Sequence, residues 1–316
     1  MRTDREYSAY LYLLPATAVL LIFQLFPVIY SFLLSVCHGT LRHPMRRFIG
    51  LDNYVELMSD QEFWTGLANT VWFALGSVPL GIIIALVIAL LLNQKIKGLG
   101  IYRTVYYLPV ITSIAAVALV WKWLFDVKFG LFNQLLAMIG ASPSNWLQES
   151  KGVFEVMAGW VGMEGVLPAF MHGPSVALCC IIIMSIWKGL GYNVVIFLAG
   201  LQNIPNHLYE AAEIDGATTW HKFRHVTWPL LSPTTFFIFI MSTIQSFQVF
   251  VQVFMMTPFG GPERSTVVAV FYLYEKAFKT FEFGYASAMA YVLFMILFLL
   301  TWLQRKYVGE KVHYGN

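Results

Sequence analysis

Six stretches of this chain are too long and too poor in charge to sit in an ordinary soluble domain. Tyr7 to Cys37, Leu67 to Gln94, Thr104 to Trp121, Pro229 to Pro262 and Gly284 to Gln304 hold no charged residue, and Val176 to Leu201 holds one, Lys188. A bilayer core about 30 Å thick is crossed by about 20 apolar residues in a helix. The runs therefore predict an all-α integral membrane protein with spans at about 10–36, 70–92, 104–125, 176–201, 229–256 and 284–303. Only 12% of the 316 residues are charged, against about 25% in a typical soluble domain. That shortage excludes intrinsic disorder as well. A net charge of +3 is too small for a nucleic-acid binder, which needs a clustered basic face. The three cysteines, Cys37, Cys179 and Cys180, give no disulfide framework and no zinc spacing. The first run is too long for the apolar core of a cleaved signal peptide.

Lysine and arginine in the connecting segments set the orientation. Segments on the side of the N-terminus hold ten basic residues and the opposite segments, which are longer, hold eight; Lys122 and Lys188 fall in spans. This bias predicts both termini in the cytoplasm. One stretch, Val153 to Met171, is apolar enough to suggest a further element. It is interrupted by Glu155, Glu164 and four glycines between Gly152 and Gly165, each of which weakens a helix by roughly 1 kcal/mol. It reads as an outer-surface segment.

Between the fourth and fifth spans, within 202–228, a short polar helix is predicted. Pro205 suits a helix start, Asp215 and Gly216 end it, and Pro229 opens the fifth span. So short a helix is marginal unless it presses against a partner. The fifth span carries Ser242, Gln245, Gln248 and Gln252, which on a continuous helix fall within an arc of about 120°. A polar stripe of this kind should not face lipid. It suits either a hydrated path for a hydroxylated solute, because amides both donate and accept, or hydrogen bonds between helices. Lys188 and Asn193 on the fourth span, and Tyr285 and Tyr291 on the sixth, are further candidates for the path.

The segment LAGLQNIPNHLYEAAEIDGATTWHKFRHVTWPLLSP resembles the Glu-Ala-Ala loop of binding-protein-dependent ABC importer permeases. Glu210, Ala211, Ala212 and Gly216 match the family pattern, and after nine residues Val226 and Trp228 stand where the pattern has Ile and Leu, before Pro229. YLYLLPATAVLLIFQLFPVIYSFLLS, YRTVYYLPVITSIAAVALVWKWLFD, IWKGLGYNVVIFLAGLQNIP, GGPERST and FGYASAMAYVLF are similar to the carbohydrate branch of that family. The resemblance implies a six-helix core of the type I importer permease kind in a bacterial or archaeal cytoplasmic membrane, to which the stretch of about 148–175, longer than in that branch, is an outer insertion. It also implies a cytoplasmic coupling helix in which Glu210, Ala211, Ala212, Asp215 and Gly216 dock onto an ATPase. The implied partners are a second, related permease, two cytoplasmic ATPase subunits carrying ATP and Mg, and an extracytoplasmic solute-binding protein.

No G-x-x-x-x-G-K-[ST] phosphate loop occurs in the sequence. The chain is therefore expected to be a transport subunit without catalytic, cofactor or metal residues of its own. The alternative from another class is a stand-alone ion-coupled secondary transporter. Such a protein is expected to carry intramembrane acids, and these spans have no Asp or Glu.

Overall fold

The structure, a computed structural model, describes residues 3–40, 43–94, 98–160 and 172–311. In chain order the helices are α1 (Thr3–Leu20), α2 (Phe26–Ser35), α3 (Asp52–Ser59), α4 (Gln61–Leu92), α5 (Leu99–Ile111), α6 (Ile114–Leu124), α7 (Leu131–Met138) and α8 (Val153–Trp160). They continue with α9 (Val176–Gln202), α10 (Asn206–Ile214), α11 (Thr219–Lys222), α12 (Trp228–Phe247), α13 (Val251–Met256), α14 (Ala269–Phe278) and α15 (Phe283–Tyr307). One antiparallel hairpin, β1 (Cys37–Thr40) with β2 (His43–Phe48), joins them. It is an addition to the all-α expectation.

Among the described residues five helices are long and apolar enough to cross a membrane: Tyr12–Ser35, Gln61–Leu92, Val176–Gln202, Thr219–Phe247 and Phe283–Tyr307. The third predicted span, 104–125, is not one straight helix. It is the pair α5 and α6, bent by 99°. Thr112 and Ser113 are extended at the bend (ψ 147° and 131°). The bend orphans the last carbonyls of α5. The Thr112 hydroxyl donates to Leu108 O (2.8 Å) and Pro109 O (3.1 Å), which satisfies two of them.

The fifth span also departs from expectation. It starts earlier, because Thr218 caps α11 and a π turn over Phe223–Thr227 carries that helix into α12; Pro229 does not open it. It also stops earlier. Helix geometry ends at Phe247, Phe250 takes φ −146° and ψ −59°, and α13 begins at Val251. The predicted 229–256 helix is therefore two helices, and the 100° periodicity does not run from Ser242 to Gln252.

The chain divides into two compact units. In the unit made of Met1–Phe63 and Tyr272–Ile296, Asn53 Nδ2 donates to Ser35 O (2.7 Å) and Cys37 O (3.2 Å), which ties α3 to the end of α2. Gly284 lies so close to the Cys37 carbonyl that a Cβ there would be 2.1 Å from it. Asp60 organises the rest. Its Oδ1 accepts the N–H groups of Glu62 and Phe63 at the start of α4, and its Oδ2 accepts the hydroxyls of Tyr272 (2.8 Å) and Tyr285 (2.6 Å). Burial raises the pKa of this carboxyl, but the bonds from Tyr285, Tyr272, Phe63 and Glu62 outweigh it and hold the group below its ordinary value.

A carboxylate with a depressed pKa stabilises the fold fully above its unfolded value. That contribution is lost as pH falls through the folded value, here below about pH 4. Asp60→Ala leaves two tyrosine hydroxyls without their acceptor, at a cost of about 2–4 kcal/mol. The expected result is a lower melting temperature of the detergent-purified protein at pH 7, with the gap to wild type narrowing in acid. An unchanged melting temperature would show that the Asp60 bonds contribute nothing.

In the other unit, Trp64–Phe271 with Leu297–Asn316, α4, α9 and α12 share a core. Ala85, Ala89, Val194, Phe197, Leu201, Leu231 and Ile238 are its buried centre. Gly200 permits the close approach of α9 and α12, since a Cβ there would be 2.6 Å from Thr234 Oγ1; small residues do this at helix contacts in membranes. Away from that core α4 turns Leu80, Ile83, Val87 and Leu91 outward, all at least half exposed. Apolar side chains at helical spacing on the outside suit a hydrocarbon surround.

The ends of the 148–175 insertion meet. Val153 N donates to Pro174 O (2.9 Å), Val176 N donates to Lys151 O (3.0 Å), and Gly152 pairs with Ser175 in an isolated bridge. Its middle, 161–171, lies outside the described residues.

Candidate functional site

Two features of the second unit bear on function: a polar cavity among the spans and the polar helix between the fourth and fifth. The cavity has a volume of about 330 Å³. Of the eight residues singled out for a solute path, Lys188, Asn193, Ser242, Gln245 and Gln252 line it together. Gln252 reaches it although α12 has ended, because the break at 248–250 returns α13 to the same space. Gln248 does not line it and caps α12 instead. Tyr285 and Tyr291 belong to the other unit, where their hydroxyls are used by Asp60 and by the Val28 carbonyl.

The polar side chains of Asn193, Ser242, Gln245 and Gln252 make no hydrogen bond to any described residue. Side chains serving as interhelical ties would be bonded, as Gln304 Nε2 is to Thr243 Oγ1 (2.9 Å). Lys188 is anchored differently. Its Nζ donates to Val110 O (3.0 Å), a third carbonyl freed by the bend after α5. The ammonium thus sits at the negative end of a helix dipole. Gly191, one turn along α9, lets α5 come this close: a Cβ there would be 2.3 Å from Tyr106 O.

Sequence reasoning missed Ser77 and Ser185, which also line the cavity. Ser185 lies one turn before Lys188 on α9, so the helical spacing was readable. Ser77 stands alone in the apolar run of α4 and gives no such signal.

If Gln245 meets solute, Gln245→Leu removes about one hydrogen bond to a neutral group, worth about 0.5–1.5 kcal/mol, or roughly 2- to 12-fold. The expected result is a rise of that size in the solute concentration giving half-maximal uptake, with normal protein yield. Gln248→Leu, off the cavity, should leave uptake unchanged. Equal effects of the two would remove the distinction between them.

The polar helix is α10. Its start is one residue later than expected, with Pro205 outside the helix at the cap. Its end is a Schellman turn: Ala217 N donates to Ala212 O (2.9 Å), Gly216 N donates to Glu213 O (3.0 Å), and Gly216 takes φ +77°. Tyr209 and Val226 pack against the core cluster, and the Tyr209 hydroxyl bonds Thr227 Oγ1 (3.0 Å). Val226 therefore fills its packing position although it is not the family's Ile, whereas Trp228 is 46% exposed. Lys222 Nζ bridges to Glu213 (2.7 Å). These ties fix one face of the segment. The other face presents Glu210, Ala211, Asp215 and Gly216 outward, with Ala212 half-buried. Ile214 is 87% exposed and Trp220 63%, the most exposed large apolar side chains among the described residues of this connector.

Among the described residues no group of His, Cys, Asp and Glu could hold a metal ion. Residues 77–309 match the family model described as the binding-protein-dependent transport system inner membrane component. The lactose transport system permease protein LacF of Rhizobium radiobacter is 34% identical over 304 residues, covering 95% of this chain and 93% of that protein. The trehalose/maltose transport system permease protein MalF of Thermococcus litoralis is 32% identical over 292 residues, covering 92% and 90%. In fold, the chain is similar to a chain from a crystal structure of a bacterial ABC transporter involved in the import of the acidic polysaccharide alginate. That likeness has a TM-score of 0.79 at 22% identity, covering 97% and 96% of the two chains. Family, relatives and membrane helices agree: the chain belongs to the binding-protein-dependent inner membrane components and is a multi-pass permease subunit of an ABC importer, not an ATPase.

Proposed function

We propose that this permease conducts a carbohydrate or polyol-like solute, received from an external solute-binding protein, through the cavity lined by Lys188, Asn193, Ser242, Gln245 and Gln252. The observation that carries this reading is the set of unbonded amide and hydroxyl groups facing one space inside a membrane bundle. Such groups both donate to and accept from sugar hydroxyls. The lactose and trehalose/maltose permeases resembling this chain support the solute class.

The energy comes from partners. The exposed face of α10, with Glu210, Ala211, Asp215 and Gly216 and the half-buried Ala212 at its edge, docks onto a cytoplasmic ATPase; two such subunits with ATP and Mg and a second permease complete the importer. This sidedness sets Lys222 and Lys306 in the cytoplasm with both termini, and accords with the basic bias of the segments around them. Lys95 shares that expectation but lies outside the described residues. The first span is only 6% buried within its own chain, against 28–39% for the other four unbroken spans, which leaves it to lipid or to the second permease. Loaded receptor outside and ATPase closure inside would each bias one equilibrium between inward- and outward-open states.

The ion-coupled alternative has no support from the family. Purification of the tagged chain from membranes tests the reading: an ATPase subunit and a second permease should co-elute. Proteoliposomes of that complex should take up a labelled saccharide only with ATP inside and the binding protein outside. Uptake by the lone chain, driven by an ion gradient, would overturn it.

A further inference from the structure

Among the described residues lining the cavity, Lys188 is the sole charged side chain; no Asp or Glu faces it there. Its Nζ spends one donor on Val110 O (3.0 Å), and an ammonium has three. The helix end behind it offers about half an elementary negative charge. Part of the positive charge is therefore unmatched, in a cleft whose low-dielectric walls focus its field inward. Around it stand Asn193, Ser185, Ser242, Gln245 and Gln252, all uncharged. The arrangement is a single cation set among groups suited to hydroxyls.

We propose that the transported solute is a hydroxylated molecule bearing one anionic oxygen group, a carboxylate or a phosphate, and that Lys188 selects it. The inference rests on the reading above that this cavity is the solute path. A neutral saccharide would leave the ammonium facing a group that cannot match its charge, whereas an anion forms a charge-assisted hydrogen bond with it. Val110 O holds the ammonium at the cavity wall, so little side-chain freedom remains to be lost when the anion arrives.

The test uses the complete importer in proteoliposomes with its binding protein and three labelled probes: a uronate disaccharide, sn-glycerol 3-phosphate and a neutral disaccharide. For wild type, one anionic probe should be taken up at a concentration at least tenfold below that needed for the neutral one; which anion does so tells carboxylate from phosphate. Lys188→Gln keeps a neutral donor for Val110 O but drops the charge. It should raise the half-saturating concentration of the anion by about 10- to 100-fold, and that of the neutral probe by much less, about the 2- to 12-fold of one lost neutral hydrogen bond at most. Lys188→Arg should retain the preference. Preferred uptake of the neutral disaccharide by wild type overturns the inference while leaving the saccharide reading intact. Equal losses for anionic and neutral probes in Lys188→Gln overturn it too, and make Lys188 a structural tie. Uptake of no probe, with ATP hydrolysis intact, overturns the saccharide reading itself and this inference with it.

Discussion

Gly191→Ala is expected to reduce the yield of assembled importer and its solute uptake by more than tenfold. The added Cβ would lie 2.3 Å from Tyr106 O and 2.6 Å from Val110 Cγ2. The first of these neighbours is backbone in the middle of α5, so no rotamer change relieves the clash. Either α5 moves away from α9 or the backbone deforms. Overpacking of a close contact costs about 1–3 kcal/mol, and here the damage falls on function as well. Moving α5 carries Val110 O away from Lys188 Nζ and opens one wall of the cavity. Gly189 is the matched control: two residues earlier on the same helix, a Cβ there meets nothing within 4 Å. Gly189→Ala should assemble normally, because alanine is the better helix former by about 1 kcal/mol; Gly189 lines the cavity, so yield and not uptake is the control reading. Wild-type yield and uptake from Gly191→Ala would show that α5 and α9 do not approach this closely in the working protein.

That contact marks the boundary of what the sequence discloses. Charge-free runs locate the spans, because charge is costly in hydrocarbon wherever it stands. They say nothing about whether a run is one helix. The bend after α5 has a local signal in Pro109 and Thr112, which a hydropathy reading passes over. The end of α12 has none: Gln248, Val249 and Phe250 include no proline or glycine, and what they do is decided by packing. Hence Gln245 and Gln252 share the cavity while Gln248, between them in sequence, does not. The Asp60 arrangement was out of reach for another reason. Its partners lie 212 and 225 residues away, and one acid next to a span carries no pattern. The α10 segment was the most legible part. Its helix, its left-handed Gly216 and its redirection are set by local backbone rules, so the motif's spacing and the observed geometry describe the same object.

Glu210→Lys is expected to abolish the coupling of ATP hydrolysis to transport while leaving the protein in the membrane at its normal level. The two glutamates of α10 are not equivalent. Glu213 is held by Lys222 at 2.7 Å. Glu210 is exposed and makes no hydrogen bond or ion pair with any described residue. Changing it therefore disturbs nothing inside the chain, and a loss of function has to arise at a surface that another molecule covers. If that molecule is an ATPase whose groove offers basic groups to Glu210 and Asp215, reversal replaces an attraction with a like-charge contact. Such a juxtaposition costs several kcal/mol, or about 100-fold or more in docking at 1.4 kcal/mol per tenfold. Solute-stimulated ATPase activity of the reconstituted complex should fall accordingly, and the ATPase should elute separately. Gly216→Pro should give the same loss by a different route. Proline holds φ near −65°, whereas the Schellman turn needs φ +77° and the Gly216 N–H that bonds Glu213 O. The exposed face would then be misdirected rather than recharged. Normal stimulation in Glu210→Lys together with normal co-elution would show that Glu210 is not a docking contact. A loss confined to Gly216→Pro would shift the docking role from the charge to the shape of the turn.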